Sequence, residues 1–448
     1  MKSFKSLLYG TALWTVLLFL FVGCTDRMVL GETSVSKLIK ALTVEEKAQL
    51  LEVHWNETGT ALEISGIERF GIPDISFEPF SGLDDGVLAS LGRSRNEKLA
   101  YDCGKALVIE QPESVTAADA VFLDFSNFPL LSCAGDSQKT ESALKLTSAI
   151  VHGMADAACP VAVLIQPDDT TSLRNVFERR IMKIASCYDE TQVAELLRWG
   201  VTTIRTSKGK ATDAVCNAID EGKLDMTTID RHVVDVLEFM LMTMSESQKA
   251  NDAAIGDSIH LSSLILECHR QGTVLLKNDG VLPLNKEDGR IALYGLAAYS
   301  ENVDLDAALK ERSFTFEPSV TTAYSKAVRD GDVRIERKPF QLRADAISSA
   351  VAVIVAGNYP GETELIEEIC RAFHFKQRKV VLIMTDQTSF EVSDLDEEPD
   401  AVIYTQAIGV ECGRILSELF FFLKTDEREN IGHGCHCSGR FHVSLFMR

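Results

Sequence analysis

Positive charge is scarce: 45 lysines and arginines stand against 66 aspartates and glutamates in 448 residues, a formal net charge of −21. A surface of that sign repels phosphate backbones, which excludes nucleic acid as a partner. It suits a neutral or cationic ligand and favours solubility. Glycine-rich phosphate-cradling loops are also missing, so no cofactor is implied. The eleven cysteines lack the regular spacing of a disulfide framework. Cys103, Cys159, Cys216, Cys268 and Cys370 lie inside apolar runs and read as small buried hydrophobes, and sequence alone does not pair them. After residue 24 no run is apolar enough to cross a membrane as a helix. Internal repeats and low-complexity tracts are absent.

What is present begins with an export signal. Lys2 and Lys5 precede an uncharged apolar run from Leu7 to Val22, then Gly23-Cys24. The run falls short of the ~20 residues that span a bilayer. Phe21-Val22-Gly23-Cys24 resembles a bacterial lipoprotein box, with Phe21 where leucine is usual, so Cys24 is the expected lipidation site. Residues 1–24 would be the leader. The protein would then be secreted, or held at the periplasmic or cell surface by a lipid anchor, its one membrane contact. Plain cleavage nearby, or an uncleaved anchor, is the alternative.

The mature part opens on a capping-box pattern, Thr43-Val44-Glu45-Glu46, before Ala48, Leu50, Leu51 and Val53. Val121–Leu123, Pro160–Ile165 and Val201–Ile204 read as buried parallel strands. Ala143–Met154, Thr191–Trp199 and a segment capped at Thr227–Asp230 read as helices. The polar stretch Ser245–Asp257 reads as a linker. Beyond it, strands are expected at Arg290–Tyr294, Ala350–Ala356, Lys379–Met384 and Ala401–Tyr404, with helices between the later three. The fold class is therefore α/β, in two domains with mainly parallel sheets.

Four segments, in order, resemble glycoside hydrolase family 3. Leu42–Lys47 with Ile67-Glu68-Arg69-Phe70-Gly71-Ile72-Pro73 is similar to the family's opening helix and its "R-L-G-I-P" string. Lys98–Leu107 is similar to the next helix, and Thr191–Gly200 with Ala218–Val236 to the closing barrel helices. The most specific is Val274-Leu275-Leu276-Lys277-Asn278-Asp279-Gly280-Val281-Leu282-Pro283-Leu284, then Ile291–Gly295, similar to the opening of the family's second domain. The resemblance implies a (β/α)8-like barrel over 36–244, with one or more units missing, and a linker over 245–257. An α/β sandwich over 258–424 and a tail over 425–448 follow. Sugar would bind at the junction, as a β-glucosidase-like protein binds it.

Retaining glycosidases use two carboxyl groups roughly 5–5.5 Å apart, one nucleophile and one proton donor. The family's nucleophile, an aspartate in "S-D-W-G", falls in Ser186-Cys187-Tyr188-Asp189 at Cys187. A thiolate can attack carbon, but it needs activation, and a thioglycosyl intermediate would hydrolyse slowly. Asp189 is the nearby carboxylate. The proton donor corresponds to Glu362, in the loop Asn358–Glu364 after a strand, where α/β sites are built. Glu362 and Glu364 equally read as solvated charges at a helix start. Of the sugar-holding positions, the aspartate of "D-G-P-x-G" is matched by Glu78, one methylene longer. The Lys-His pair falls at Ile165-Gln166, and the "G-G-R" arginine has no counterpart near Leu131–Asp136.

His433, Cys435, His436, Cys437 and His442 crowd the tail in no standard zinc spacing, and no metal site is expected. Asn56-Glu57-Thr58 is a sequon without further support. Two functions follow from these residues. One is an exported hydrolase of O-glycosyl bonds, β-glucosidase-like, with Glu362 as acid/base. The other is an inactive descendant, a surface lipoprotein that binds carbohydrate or a protein; an eroded, poorly folding product is a third reading.

Overall fold

The computed structural model describes residues 28–80, 82–110, 120–124, 137–165, 181–187, 189–246, 260–300, 303–385, 388–406, 410–422 and 441–442. Cys24, Gln166, Tyr188, the 131–136 stretch and the tail cluster apart from His442 lie outside them, as does the expected linker from residue 247 on. By contact density the chain forms two compact units, each built from three stretches. One takes Met1–Phe80, Val115–Ser126 and Cys159–Asp252; the other takes Ser81–Ser114, Asn127–Ala158 and Ala253–Arg448.

The first unit is a closed barrel of seven strands in chain order: β1 (Glu52–Trp55), β2 (Leu62–Ile64), β3 (Ile75–Pro79), β4 (Ala120–Asp124), β5 (Val161–Ile165), β6 (Met182–Ser186) and β7 (Thr203–Arg205). Strands β3 to β7 are parallel, and β7 closes onto β1 in parallel. β2 runs antiparallel to β1 and β3. The expectation is a (β/α)8-like barrel with one or more units missing; among the described residues the barrel has seven strands, one of them reversed. Chain length explains the reversal, since a parallel crossover needs about a dozen residues or more. The link from Trp55 to Leu62 is instead a tight turn, in which the Asn56 side chain accepts from the Thr60 and Ala61 amides.

The helices around the barrel start where their sequences say they should. Thr43 Oγ1 accepts from the Glu46 amide, and the Glu46 carboxylate accepts from the Thr43 amide, completing the capping box. Buried Glu52 on β1 accepts from the backbone N–H and hydroxyl of Thr212, at 2.8 and 2.7 Å, and from the Gly209 amide. A carboxylate at the positive end of the helix Lys210–Asp220 satisfies donors that the helix leaves unpaired.

His232, on the helix Met226–Glu246, is buried and donates Nε2–H to the Leu197 carbonyl at 2.8 Å. Burial depresses its pKa to about 4. The folded state therefore takes up the proton later than the unfolded chain, whose histidine titrates near ~6.5. The stability from the neutral ring is complete above that pH and is lost as pH falls towards 4. Lowering pH from 7 to 5 should remove about 2 kcal/mol from wild type relative to His232→Gln. Parallel melting curves of the two across that window would sink this if their difference stayed flat.

The second unit holds a six-stranded sheet in the order β13-β8-β12-β11-β10-β9, with β8 at Val274–Asn278, β9 at Ile291–Tyr294, β10 at Val351–Val355, β11 at Lys379–Thr385, β12 at Ala401–Thr405 and β13 at Phe441–His442. β9 to β12 are parallel; β8 pairs antiparallel with β12, and β13 with β8. All four strands expected in this half form. One expected helix does not: the described part of the β11–β12 connection holds only a short turn at Val392–Asp394. Ser-Asp-Leu-Asp-Glu-Glu-Pro-Asp offers too few apolar residues to cover a sheet face. The β9–β10 connection instead holds three helices, Leu305–Glu311, Pro318–Asp330 and Pro339–Ser348.

Two features hold this unit together. Asp345, 2% exposed, accepts from Tyr294 Oη at 3.1 Å, from Ser319 Oγ at 3.1 Å and from the Arg337 guanidinium, itself 8% exposed. The helices Asp85–Ser94, Glu97–Glu110 and Ser137–Asp156 also belong here. A Cβ on Gly104 would lie 2.2 Å from the Ile150 carbonyl oxygen, and one on Gly153 would lie 2.1 Å from that of Tyr101. Glycine at both positions lets the second and third of these helices cross backbone to backbone. The helix Leu261–Gly272 packs on the first two: Arg93 Nε donates to the Gly272 carbonyl at 2.9 Å, and Ser90 Oγ meets His269 Nδ1 at 3.1 Å.

Candidate functional site

In the first unit, chemistry gathers where the barrel strands end. Side chains alternate across a strand, so Ser186 and Cys187 at the end of β6 point to opposite sides. Buried Ser186 accepts from Arg205, the last residue of β7 and its registered partner, through Nε at 3.0 Å and Nη2 at 2.8 Å. The Arg205 guanidinium lies 5.7 Å from the ring centre of Trp55, the last residue of β1. That ring meets Phe122 of β4 edge-on, at 6.0 Å between centroids. Trp55 remains 39% exposed. A partly exposed indole backed by a cation and an aromatic edge is suited to stacking on an apolar ring face.

Cys187 faces the other way. It is 6% exposed, belongs to the buried apolar cluster with Ala185, Val193 and Leu197, and gives its S–H to the Asp189 carbonyl at 2.9 Å. A thiol buried in hydrocarbon and already donating is poorly placed to become a nucleophilic thiolate. Asp189 is exposed, and its carboxylate accepts from the Thr191 amide at 2.9 Å. That contact and the Thr191 hydroxyl hold its pKa below the ordinary aspartate value. It therefore stays ionised, as the cap of the short turn Glu190–Gln192. Glu78 lies on β3 and is exposed. Phe77 before it stacks on Phe239 of an outer helix at 5.9 Å, so alternation turns Glu78 to the opposite face of the sheet.

In the second unit, Glu362 is the first residue of the helix Glu362–Phe375, reached from β10 through Gly357 and a left-handed Gly361. It is half-buried, and its carboxylate accepts from the Gly357 amide at 2.9 Å. Burial raises its pKa, with the amides of Gly357 and Tyr359 pulling the other way. Glu364 in the same turn is exposed, and hydrogen bonds from its own amide and from Thr363 hold its pKa down. Glu362 borders a cavity of about 40 Å³ shared with Tyr294, Gly295, Tyr324, Tyr359 and Leu365. That volume holds about three waters and no sugar ring.

The structure thus places Asp189, Cys187 and Glu78 in the barrel unit and Glu362 in the sheet unit. Sequence reasoning missed Trp55, Arg205 and Ser186, which come from three strands distant in the chain. The available signal was a large aromatic residue at the carboxyl end of a barrel strand. Among the described residues no cluster of His, Cys, Asp and Glu could hold a metal ion.

The sequence matches no protein-family model and no curated protein. Solved structures do share its architecture. β-Glucosidase 3B from Thermotoga neapolitana in complex with α-D-glucose superposes with a TM-score of 0.57 at 17% identity, over 86% of this chain and 74% of that one. The GH3 β-glucosidase of Bifidobacterium adolescentis gives 0.51 at 14%, over 86% and 69%. That of Listeria innocua in complex with isofagomine gives 0.51 at 14%, over 86% and 74%. At such identities the likeness speaks to architecture: this chain has a glycoside hydrolase family 3-like fold, a barrel followed by an α/β unit.

Proposed function

We propose that this protein binds carbohydrate on a β-glucosidase-type scaffold, at the barrel's strand ends, with the family's nucleophilic step lost. The observation that carries this is the side chain at the nucleophile position. Cys187 is packed among apolar residues and donates to a carbonyl, so no carboxylate stands there to attack the anomeric carbon. Binding has support of its own in the partly exposed Trp55 ring beside Arg205. Neutral sugars also suit a protein of net charge −21. Export and lipid anchoring at Cys24 complete the proposal, which makes the protein a surface or periplasmic carbohydrate-binding lipoprotein.

A second reading keeps weak hydrolysis with Glu362 as proton donor, favoured by the burial that raises its pKa.

Calorimetry with glucose and β-linked oligosaccharides tests the first reading, beside a panel of chromogenic glycosides. Wild type should bind without turnover, and Trp55→Ala should weaken binding about 10-fold, as expected for a lost stacking face. Turnover abolished by Glu362→Gln would replace the binding protein with the hydrolase. A folded protein that neither binds nor cleaves sugars would overturn both.

A further inference from the structure

Cys103 and Cys268 are separated by 165 residues of sequence and meet with their sulfurs 3.5 Å apart. Both are fully buried. Cys103 lies on the helix Glu97–Glu110 and Cys268 on the helix Leu261–Gly272, within one compact unit. We propose that these two thiols form a disulfide when the chain folds in the presence of a disulfide-bearing thiol oxidant, and that this bond staples the early helices to the helix that precedes β8.

Geometry favours closure. A disulfide sets its sulfurs at ~2.05 Å, so each must move roughly 0.7 Å, within reach of a modest turn about each Cα–Cβ bond. The helices flanking the pair are already fixed by Arg93 on the Gly272 carbonyl and by Asn96 Nδ2 on Gln271 Oε1 at 3.0 Å. Of the other described cysteines, Cys159 and Cys187 each give their S–H to a backbone carbonyl.

Burial sets when the bond can form. The Cys268 thiol is held well above the ordinary cysteine range by its contact with Cys103 and by desolvation. Only the thiolate attacks, and only where the oxidant can reach it, so oxidation belongs to the folding chain rather than to the closed structure. In the first step one cysteine thiolate attacks the oxidant's disulfide and displaces one of its thiolates. In the second, the other cysteine attacks the mixed disulfide and displaces the first cysteine's partner. Two electrons and the two thiol protons leave with the oxidant as two thiols. In the cell such an oxidant would be met after export, but the bond itself depends on neither the export nor the sugar-binding proposal.

The test uses the full chain, unfolded with reductant and refolded in oxidised and reduced glutathione. The folded fraction is then alkylated in denaturant and digested. The expected product is a single cross-linked peptide pair joining Cys103 to Cys268, 2 Da lighter than the reduced pair, as its principal disulfide. The oxidised protein should melt ~5–10 °C above its dithiothreitol-treated form, because a long loop is closed in the unfolded chain. Cys268→Ala should lose that reductant-sensitive increment. Complete alkylation of both cysteines, or their linkage to other cysteines, would overturn the proposal. So would a melting difference between the two redox forms that survives in Cys268→Ala. The mass readout is made on wild type, so it decides the matter even if the variant fails to fold.

Discussion

An Asp345→Ala chain is expected to lose about 3–5 kcal/mol of stability, the usual consequence of removing one partner of a buried ion pair. Removing the carboxylate strands the Arg337 charge in a site that is 8% exposed and leaves the Tyr294 and Ser319 hydroxyls without their acceptor. The loss arises from what is left behind more than from the attraction removed. Arg337→Met combined with Asp345→Leu should therefore cost less than Asp345→Ala alone. Urea unfolding of wild type and the two variants measures this directly. A single-variant loss below about 1 kcal/mol would show that water reaches the site and that Arg337 is not stranded.

Gly104→Ala carries the second large effect. A methyl group 2.2 Å from the Ile150 oxygen cannot be accommodated without moving the helices apart by about 1 Å. Alanine returns up to about 1 kcal/mol of helix propensity, and separating a packed helix pair costs more. A net loss of about 2 kcal/mol is expected. Gly153→Ala should behave alike, and the double variant should lose less than the sum, because one separation relieves both contacts. A stabilising Gly104→Ala, read as a higher denaturation midpoint at unchanged slope, would mean that the helices do not cross so closely.

Much of the second unit was legible because its central strands are apolar throughout. Val351–Val355 and Ala401–Thr405 are bounded runs that admit one reading once turns flank them. The barrel's first three strands were not legible. Glu52-Val53-His54-Trp55 and Leu62-Glu63-Ile64 are short and mix charge with hydrophobes, since one face carries a helix cap or a site residue. Thr43's cap could be read because all its partners lie within four residues. Glu362 could be located because a strand, a glycine and a helix start follow one another in the chain. Nothing local announces that Trp55, Ser186 and Arg205 meet, because only closure of the barrel brings β1, β6 and β7 together.

The way each unit draws on separated stretches of chain has a consequence for biogenesis. The helix Glu97–Glu110 leaves the ribosome long before Leu261–Gly272, the helix it packs against, has been translated. Until then Cys103, which meets Cys268 of that helix, has no lasting cover from that side. The earlier helix thus waits uncovered on that side through roughly the next 150 residues of synthesis, a state that holdase chaperones recognise. The same interleaving means that ending the chain after Glu246 would keep all seven barrel strands but leave the helices Asp85–Ser94 and Glu97–Glu110 without the helix Leu261–Gly272 on which they pack.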